Sequence, residues 1–145
     1  MDMATLVSTK SKDRSMRCGT VLIGEGHCVV STGYNGFPRG VDDYNEEYHK
    51  RPEKYIWTSH DAANAIFNAA RHGIKTLGSK AYLNAHPCVD CARALVQAGI
   101  VEVTIPVRIH DPFHRQGRWL EWAESFYNAR RIFEAANVKV IEYGV

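Results

Sequence analysis

The fold of this 145-residue chain is indicated most clearly by two segments, HDAANAIFNAAR at residues 60–71 and PCVDC at residues 87–91. The first is an alanine-rich stretch with helical spacing that starts at a His, and Gly73 is placed to end it. The second starts another helix and carries two cysteines three residues apart. Two helix starts can direct an imidazole and two thiolates at one point, so the segments predict a metal site between two helices.

His60, Cys88 and Cys91 form the predicted ligand set for zinc. Three protein ligands leave the fourth position for water, which is typical of catalytic rather than structural zinc. Residues 88 and 91 lie about one helical turn apart, so both sulfurs can face the same ion. A helix start also favours the thiolate form of cysteine. The sequence therefore predicts one catalytic Zn²⁺ per chain.

Other interpretations of the cysteine pair stay open at this point. The pair could be a redox pair, although such a pair needs neither His60 nor Pro87. It could also be half of a structural zinc site with His86 as the fourth ligand. Pro87 holds this stretch extended, so the side chains on either side of it point apart. A second zinc near His49 or Cys28 is a further alternative.

The composition predicts a single domain over residues 1–145, long enough to bury a core without disulfides. The net charge is +2 and the basic residues are scattered, so nothing favours a nucleic acid as partner. The chain shows neither a secretory leader nor an apolar run of membrane-spanning length. Its four cysteines are therefore expected to be free or metal-bound in a reducing cytoplasm, with no membrane association.

Hydrophobic periodicity and turn residues give the order of helices and strands. Helices are expected at 1–10, 42–48, 60–71, 88–98 and 117–136; strands are expected at 18–23, 28–32, 81–84, 101–106 and 138–143. The first two strands are close enough for a hairpin, whereas the later alternation of strands and helices favours parallel pairing. The glycine-rich segment 33–40 is expected to be a loop. Together these features predict a three-layer α/β/α fold with a mixed five-stranded sheet.

The chain resembles the deoxycytidylate (dCMP) deaminases of the zinc-dependent cytidine/deoxycytidylate deaminase superfamily. Five segments carry the resemblance: SKD at 11–13, GYNGFPRG at 33–40, HDAANAI at 60–66, PCVDCA at 87–92 and AGI at 98–100. The zinc motif alone indicates only the superfamily. The glycine-rich loop and the NAI continuation favour the dCMP branch over tRNA-adenosine or riboflavin-pathway deaminases.

The resemblance implies a cytidine-deaminase-like fold and hydrolytic replacement of the 4-amino group of dCMP, giving dUMP and ammonia. Arg17, Asn35, Gly36 and Asp61 are the substrate contacts that it suggests. The guanidinium of Arg17 suits a phosphate, and the amide of Asn35 can bind a sugar hydroxyl or phosphate. Alternatively, Arg17 is a solvated surface charge, and Asn35 serves a turn by accepting a positive φ. Whether a 5-substituted dCMP is preferred stays open.

The resemblance also implies a homo-oligomer, commonly a hexamer, that is activated by dCTP and inhibited by dTTP, with Mg²⁺ accompanying the allosteric triphosphate. Trp119 and Trp122 belong to one predicted helix and offer much aromatic surface. We expect them either in a subunit contact or in the core of the chain.

Ala62 departs from the family pattern, because the family has a Glu two residues after the His ligand. This Glu is not a ligand but moves protons, and general acid–base catalysis contributes roughly 10²–10⁴-fold in rate. Asp61 lies about 100° around the helix and is not expected to replace it. The chain is therefore predicted to be nearly inactive. An engineered replacement explains the intact ligands better than a natural pseudoenzyme. The alternatives are a regulatory nucleotide-binding protein or a deaminase of another nucleobase.

Overall fold

The computed structural model describes residues 2–144 and contains seven α-helices, two short 3-10 helices (Glu25–His27 and Arg108–His110) and five strands within them. The helices are α1 (Asp2–Ser8), α2 (Glu46–His49), α3 (Lys54–Trp57), α4 (Asp61–Arg71), α5 (Val89–Gln97), α6 (Pro112–Arg115) and α7 (Trp119–Ala135). The strands are β1 (Gly19–Ile23), β2 (Val29–Tyr34), β3 (Lys80–Leu83), β4 (Glu102–Pro106) and β5 (Lys139–Tyr143).

The five strands form one mixed sheet in the order β2-β1-β3-β4-β5. Strand β1 pairs antiparallel with β2 and β3, whereas β3, β4 and β5 are parallel. The predicted hairpin and the predicted parallel half are both confirmed. Strand β4 lies in the middle of the parallel half and is buried along its whole length, as expected for a strand covered on both faces.

The helices cover both faces of the sheet. This is seen at β1, where neighbouring residues point to opposite faces and meet different helices. A Cβ at Gly19 would lie 2.3 Å from the carbonyl oxygen of Ala4 in α1. The next residue, Thr20, donates a hydrogen bond to Asp61 in α4. Helix α5 contacts both α4 and α7, and these three helices form the layer opposite α1. The three-layer α/β/α prediction is confirmed.

The structure differs from the predicted elements in three places. The helix expected at 42–48 is helical only over Glu46–His49. The glycine-rich segment begins as strand, because Gly33 and Tyr34 complete β2. A Cβ at Gly33 would lie 2.2 Å from the backbone nitrogen of Ala65, so β2 and α4 pack closely only with glycine here. The short helices α3 and α6 were not predicted. No helix in the described part of the chain combines the length and apolar character needed to cross a membrane.

Candidate metal centre and substrate cavity

The starts of α4 and α5 bring the three predicted zinc ligands together. His60 is the extended residue directly before α4, and Cys88 holds the same position before α5. His60 Nδ1 lies 3.2 Å from Cys88 Sγ and 3.6 Å from Cys91 Sγ. All three donor atoms lie within 4.8 Å of one another. Pro87 precedes the first cysteine and keeps its approach extended.

These distances and donors fit zinc. In tetrahedral zinc sites the Zn–S and Zn–N distances of about 2.3 and 2.0–2.1 Å place N and S roughly 3.6 Å apart. Cys88 and Cys91 are buried, so neither thiolate would be fully hydrated without a cation. Sulfur and imidazole ligands in a buried three-ligand set are suited to a catalytic Zn²⁺ with one further coordination position.

The thiols and the imidazole are electrostatically linked. A hydrogen bond with Cys91, together with one to His60, lowers the pKa of the Cys88 thiol to about 4. The same interaction with Cys88 raises the pKa of Cys91, and the hydrogen bond with Cys88 raises that of His60. The two sulfurs therefore share one proton, which a divalent cation bound to both would displace.

His86 binds Asp111 and is not part of the three-ligand group. Its Nδ1 lies 2.8 Å from Asp111 Oδ2, and its backbone N–H donates to the same oxygen at 2.6 Å. Asp111 is fully buried and also accepts from the Phe113 backbone N–H. His86 is thus held by Asp111 and is not a fourth ligand of the set. Among residues 2–144, the only group of three or more potential ligands is His60, Cys88 and Cys91, so no second zinc site is found near His49 or Cys28.

A cavity of about 70 Å³ lies beside the three ligands. One wall is aromatic: Phe113 and Phe126 have ring centroids 5.5 and 6.3 Å from that of Trp122, whose ring is 6.3 Å from the His60 ring. Polar lining residues include Asp13, Asn35, Lys54, Tyr55, Asp61, His86 and Arg118. The cavity therefore combines a flat apolar surface with polar groups at its edges, as small-ligand sites commonly do.

The predicted substrate contacts Asn35 and Asp61 line this cavity. The Asn35 side chain accepts from the Cys18 backbone N–H and donates to the Met16 carbonyl, both at 2.8 Å. Its φ is not positive, so the turn-forming alternative does not apply. Asp61 accepts a 2.6 Å hydrogen bond from Thr20, while burial raises its pKa. The Asn35 side chain is thus held by the segment before β1, and the Asp61 side chain is held by β1 itself.

Gly36 and Arg17 are placed differently from Asn35. Gly36 pairs with Ser59 through two backbone hydrogen bonds of 2.8 and 3.0 Å, which attaches the loop to the residue before His60. Asn64 strengthens this attachment by donating to the carbonyls of Tyr34 and Ser59. Arg17 is exposed and does not line the cavity beside the metal ligands. The structure therefore does not bring Arg17 to the other predicted contacts.

Ala62 is fully buried and belongs to the same core cluster as Cys88 and Cys91. Helices α4 and α5 also contact each other, so the first turn of α4 lies against Cys88 and Cys91. A longer side chain at position 62 would start from this buried point beside the thiolates. Position 62 is thus next to the metal centre, although alanine itself supplies no polar atom there.

Trp119 and Trp122 both contribute to the aromatic cluster around the cavity. The Trp119 ring centroid lies 4.8 Å from the His86 ring and 5.0 Å from the Arg108 guanidinium carbon. Both Trp side chains pack against buried Met16, Cys18 and Phe126. Within one chain, Trp119 and Trp122 therefore pack in the core, which is one of the two positions expected for them.

A larger cavity of about 220 Å³ lies on the other side of the glycine-rich loop. Its lining includes Gly36, Phe37, Pro38 and the basic residues Lys10, Lys12 and Arg39. Gly36, one of the predicted substrate contacts, faces this second cavity together with most other residues of the loop. Asn35 lies on the side of the metal ligands.

The chain belongs to the cytidine and deoxycytidylate deaminase family, whose zinc-binding region model matches residues 1–107. It is 34% identical to a deaminase of Aliivibrio fischeri and 32% identical to the deoxycytidylate deaminase of Mus musculus. Each match covers 95% of this chain, with 86% and 74% of the relative covered. The family resemblance drawn from the motifs is confirmed.

A solved structure supports the same fold. The dCMP deaminase of cyanophage S-TIM5, in complex with dCMP and dUMP, superimposes with a TM-score of 0.73 at 22% identity. The match covers 98% of this chain and 92% of the phage chain. At this identity the similarity establishes the architecture.

Proposed function

We propose that this chain has the site of a zinc-dependent hydrolytic dCMP deaminase and that Ala62 leaves it nearly inactive. The convergence of His60, Cys88 and Cys91 beside a cavity with an aromatic wall carries the proposal. The family membership and the named relatives support dCMP as the substrate. The products would be dUMP and ammonia.

Different residues of the chain are proposed to bind the zinc ion and the base. His60, Cys88 and Cys91 would bind Zn²⁺, which when bound activates water for attack on C4 of cytosine. Trp122 and Phe113 present ring surface to a bound base, and they exclude water from the cavity. Asn35 and Asp61 are the proposed polar contacts, with Gly36 fixing the loop that carries Asn35.

Position 62 explains the proposed inactivity. In the family pattern a Glu at this position protonates N3 of the base and later passes a proton to the leaving amine. Alanine can do neither. The buried position beside Cys88 and Cys91 is where such a carboxylate would begin. Asp61 cannot simply replace it, since one carboxylate oxygen already accepts from Thr20.

Regulation by dCTP and dTTP, with Mg²⁺ on the triphosphate, is part of the same proposal. The cavity beside the glycine-rich loop supports it, because its lining holds three basic residues, Lys10, Lys12 and Arg39, against the two carboxylates of Asp13 and Asp43. Assembly into a homo-oligomer is also proposed from the family, with light scattering at micromolar concentration as its test; a monomeric mass would contradict it.

The decisive experiment compares the chain as given with the Ala62→Glu variant. Ammonia release and the ultraviolet change from cytosine to uracil are followed with dCMP, 5-methyl-dCMP and 5-hydroxymethyl-dCMP. We expect Ala62→Glu to raise turnover by at least roughly 10²–10⁴-fold. Ala70→Glu, which places the same side chain on an exposed site of α4, is the matched control.

Two results would contradict the proposal in different ways. Comparable turnover by the chain as given and Ala62→Glu would show that position 62 is not the proton carrier; Asp61→Asn would then test the remaining carboxylate at the cavity. Turnover by neither protein would favour a regulatory nucleotide-binding protein, an alternative that Ala62 itself supports. Calorimetric titration with dCMP and dCTP separates that alternative from a different substrate class.

A further inference from the structure

Arg118 lines the cavity beside the metal ligands, although no sequence motif indicates it. It directly precedes α7, and its side chain lines the same cavity as His60, Cys88 and Cys91. Only 15% of the side chain is exposed. No side chain caps the start of α7, so the helix dipole adds positive potential at this point.

The other fixed cation of the cavity is already neutralised. Among the described residues, Lys54 and Arg118 are the lysine and arginine side chains that line it. Lys54 donates to both oxygens of Asp13, at 3.0 and 2.8 Å, and to Ser15 Oγ at 2.7 Å. Its three N–H groups are therefore engaged within the protein. Lys54 consequently has little capacity to bind an incoming anion.

Arg118 has a partner that an anion can displace. Its Nε and Nη2 donate to a single oxygen of Glu121, at 3.1 and 2.8 Å. Glu121 is 56% exposed and can move into solvent. The Arg118 hydrogen bonds lower the pKa of Glu121, and the charge of Arg51 acts in the same direction. Arg51 also donates to the Tyr55 hydroxyl at 2.8 Å, and Tyr55 lines the cavity. Two arginines therefore approach the same edge.

We infer that Arg118, with Arg51 beside it, binds the 5′-phosphate of the nucleotide, and that Glu121 occupies this position until the nucleotide arrives. The inference rests on the proposed function and replaces Arg17 as the phosphate contact. A phosphate offers two oxygens to the planar guanidinium fork, whereas Glu121 uses one. Glu121 thus competes with the phosphate, and removing its charge should strengthen binding.

The test measures the preference for dCMP over deoxycytidine, by calorimetric titration of the zinc-loaded chain. We expect Arg118→Gln to reduce that preference roughly 10- to 100-fold, because it removes a hydrogen bond to a charged group. Glu121→Gln should increase the preference a few-fold. Arg130→Gln and Glu124→Gln, on the same helix but away from the cavity, should leave it unchanged. Thermal unfolding confirms that each variant is folded.

The outcomes separate this inference from the proposed function. An unchanged preference in folded Arg118→Gln, or its loss in Arg17→Gln instead, would overturn the assignment of the phosphate to Arg118. A decrease of the preference in Glu121→Gln would overturn the competition by Glu121. If the parent chain bound neither dCMP nor deoxycytidine, the proposed function would fail, and the phosphate site would fail with it.

Discussion

The two cavities of this chain share Asp13 and Thr58 but differ in their other residues. The cavity at the metal ligands is small, about 70 Å³, and has an aromatic wall. The cavity at the glycine-rich loop is about 220 Å³ and is lined by lysine and arginine. The first suits a planar base, and the second suits a more highly charged ligand. One loop serves both, because extended residues point alternately to opposite sides.

The largest effect is expected at the metal ligands. Cys88→Ala should remove the ion from the small cavity, because two remaining ligands hold zinc far more weakly than three. It should also destabilise the starts of α4 and α5, since metal binding is coupled to folding of the site. Metal analysis of purified protein measures the loss. Cys28→Ala removes an exposed cysteine outside the ligand set and should keep one zinc per chain; undiminished zinc in Cys88→Ala would refute the ligand assignment.

The Asp13–Lys54 pair lies between the cavities and should matter to the stability of both. Its side chains are 7% and 10% exposed, so Asp13→Asn leaves a buried lysine without its charge partner. Such losses cost about 3–5 kcal/mol in free energy of unfolding. Asp43→Asn breaks the exposed pair with Lys12 and should cost about 0–1 kcal/mol. Denaturant unfolding compares the two; equal losses would show that burial of the first pair is unimportant.

The same pair should give an acid-dependent stability. Burial raises the pKa of Asp13, but hydrogen bonds from Lys54 and the Met16 and Ser15 backbone outweigh it and leave the pKa lowered. A lowered folded-state pKa stabilises above the unfolded value, near 3.9, and the contribution is lost as the pH falls through the folded value. The difference in unfolding free energy between the parent and Asp13→Asn should therefore be constant near neutral pH. It should shrink below about pH 4; a constant difference there would contradict the assignment.

The meeting of His60, Cys88 and Cys91 and the order of strands along the chain could be predicted because local patterns determine them. The His before one helix and the Cys pair at the start of another can be recognised from the residues next to them in the sequence. The alternation of strands and helices predicts the mixed sheet. His86 could not be assigned in this way. Its role depends on Asp111, which lies 25 residues away in sequence and is brought close by the turn before α6.

The cavity edges were the least predictable part of the site. The family resemblance suggests Arg17 as the phosphate contact, yet the structure places Arg17 outside the cavity, and Arg118 lines the cavity instead. Arg118 belongs to none of the sequence motifs, and its position depends on how α7 packs on α5. Asn35 and Gly36 are neighbours in sequence but face different cavities. Which cavity a loop residue faces depends on the direction in which that residue points. The spacing of residues along the sequence does not give this direction.

The smallest effect is expected at the loop cavity and tests whether the two cavities bind different ligands. Lys12 lies at that cavity, 2.7 Å from Asp43 and 50% exposed. Because an exposed charge contributes little, Lys12→Gln should weaken dCTP binding up to about fivefold. Binding of dCMP should not change, since Lys12 does not line the metal cavity. The weakening should decrease at higher ionic strength, because salt screens exposed charges.

Lys139→Gln, an exposed lysine on β5, is the control. Equal weakening of dCMP and dCTP by Lys12→Gln would show that a single site binds both nucleotides.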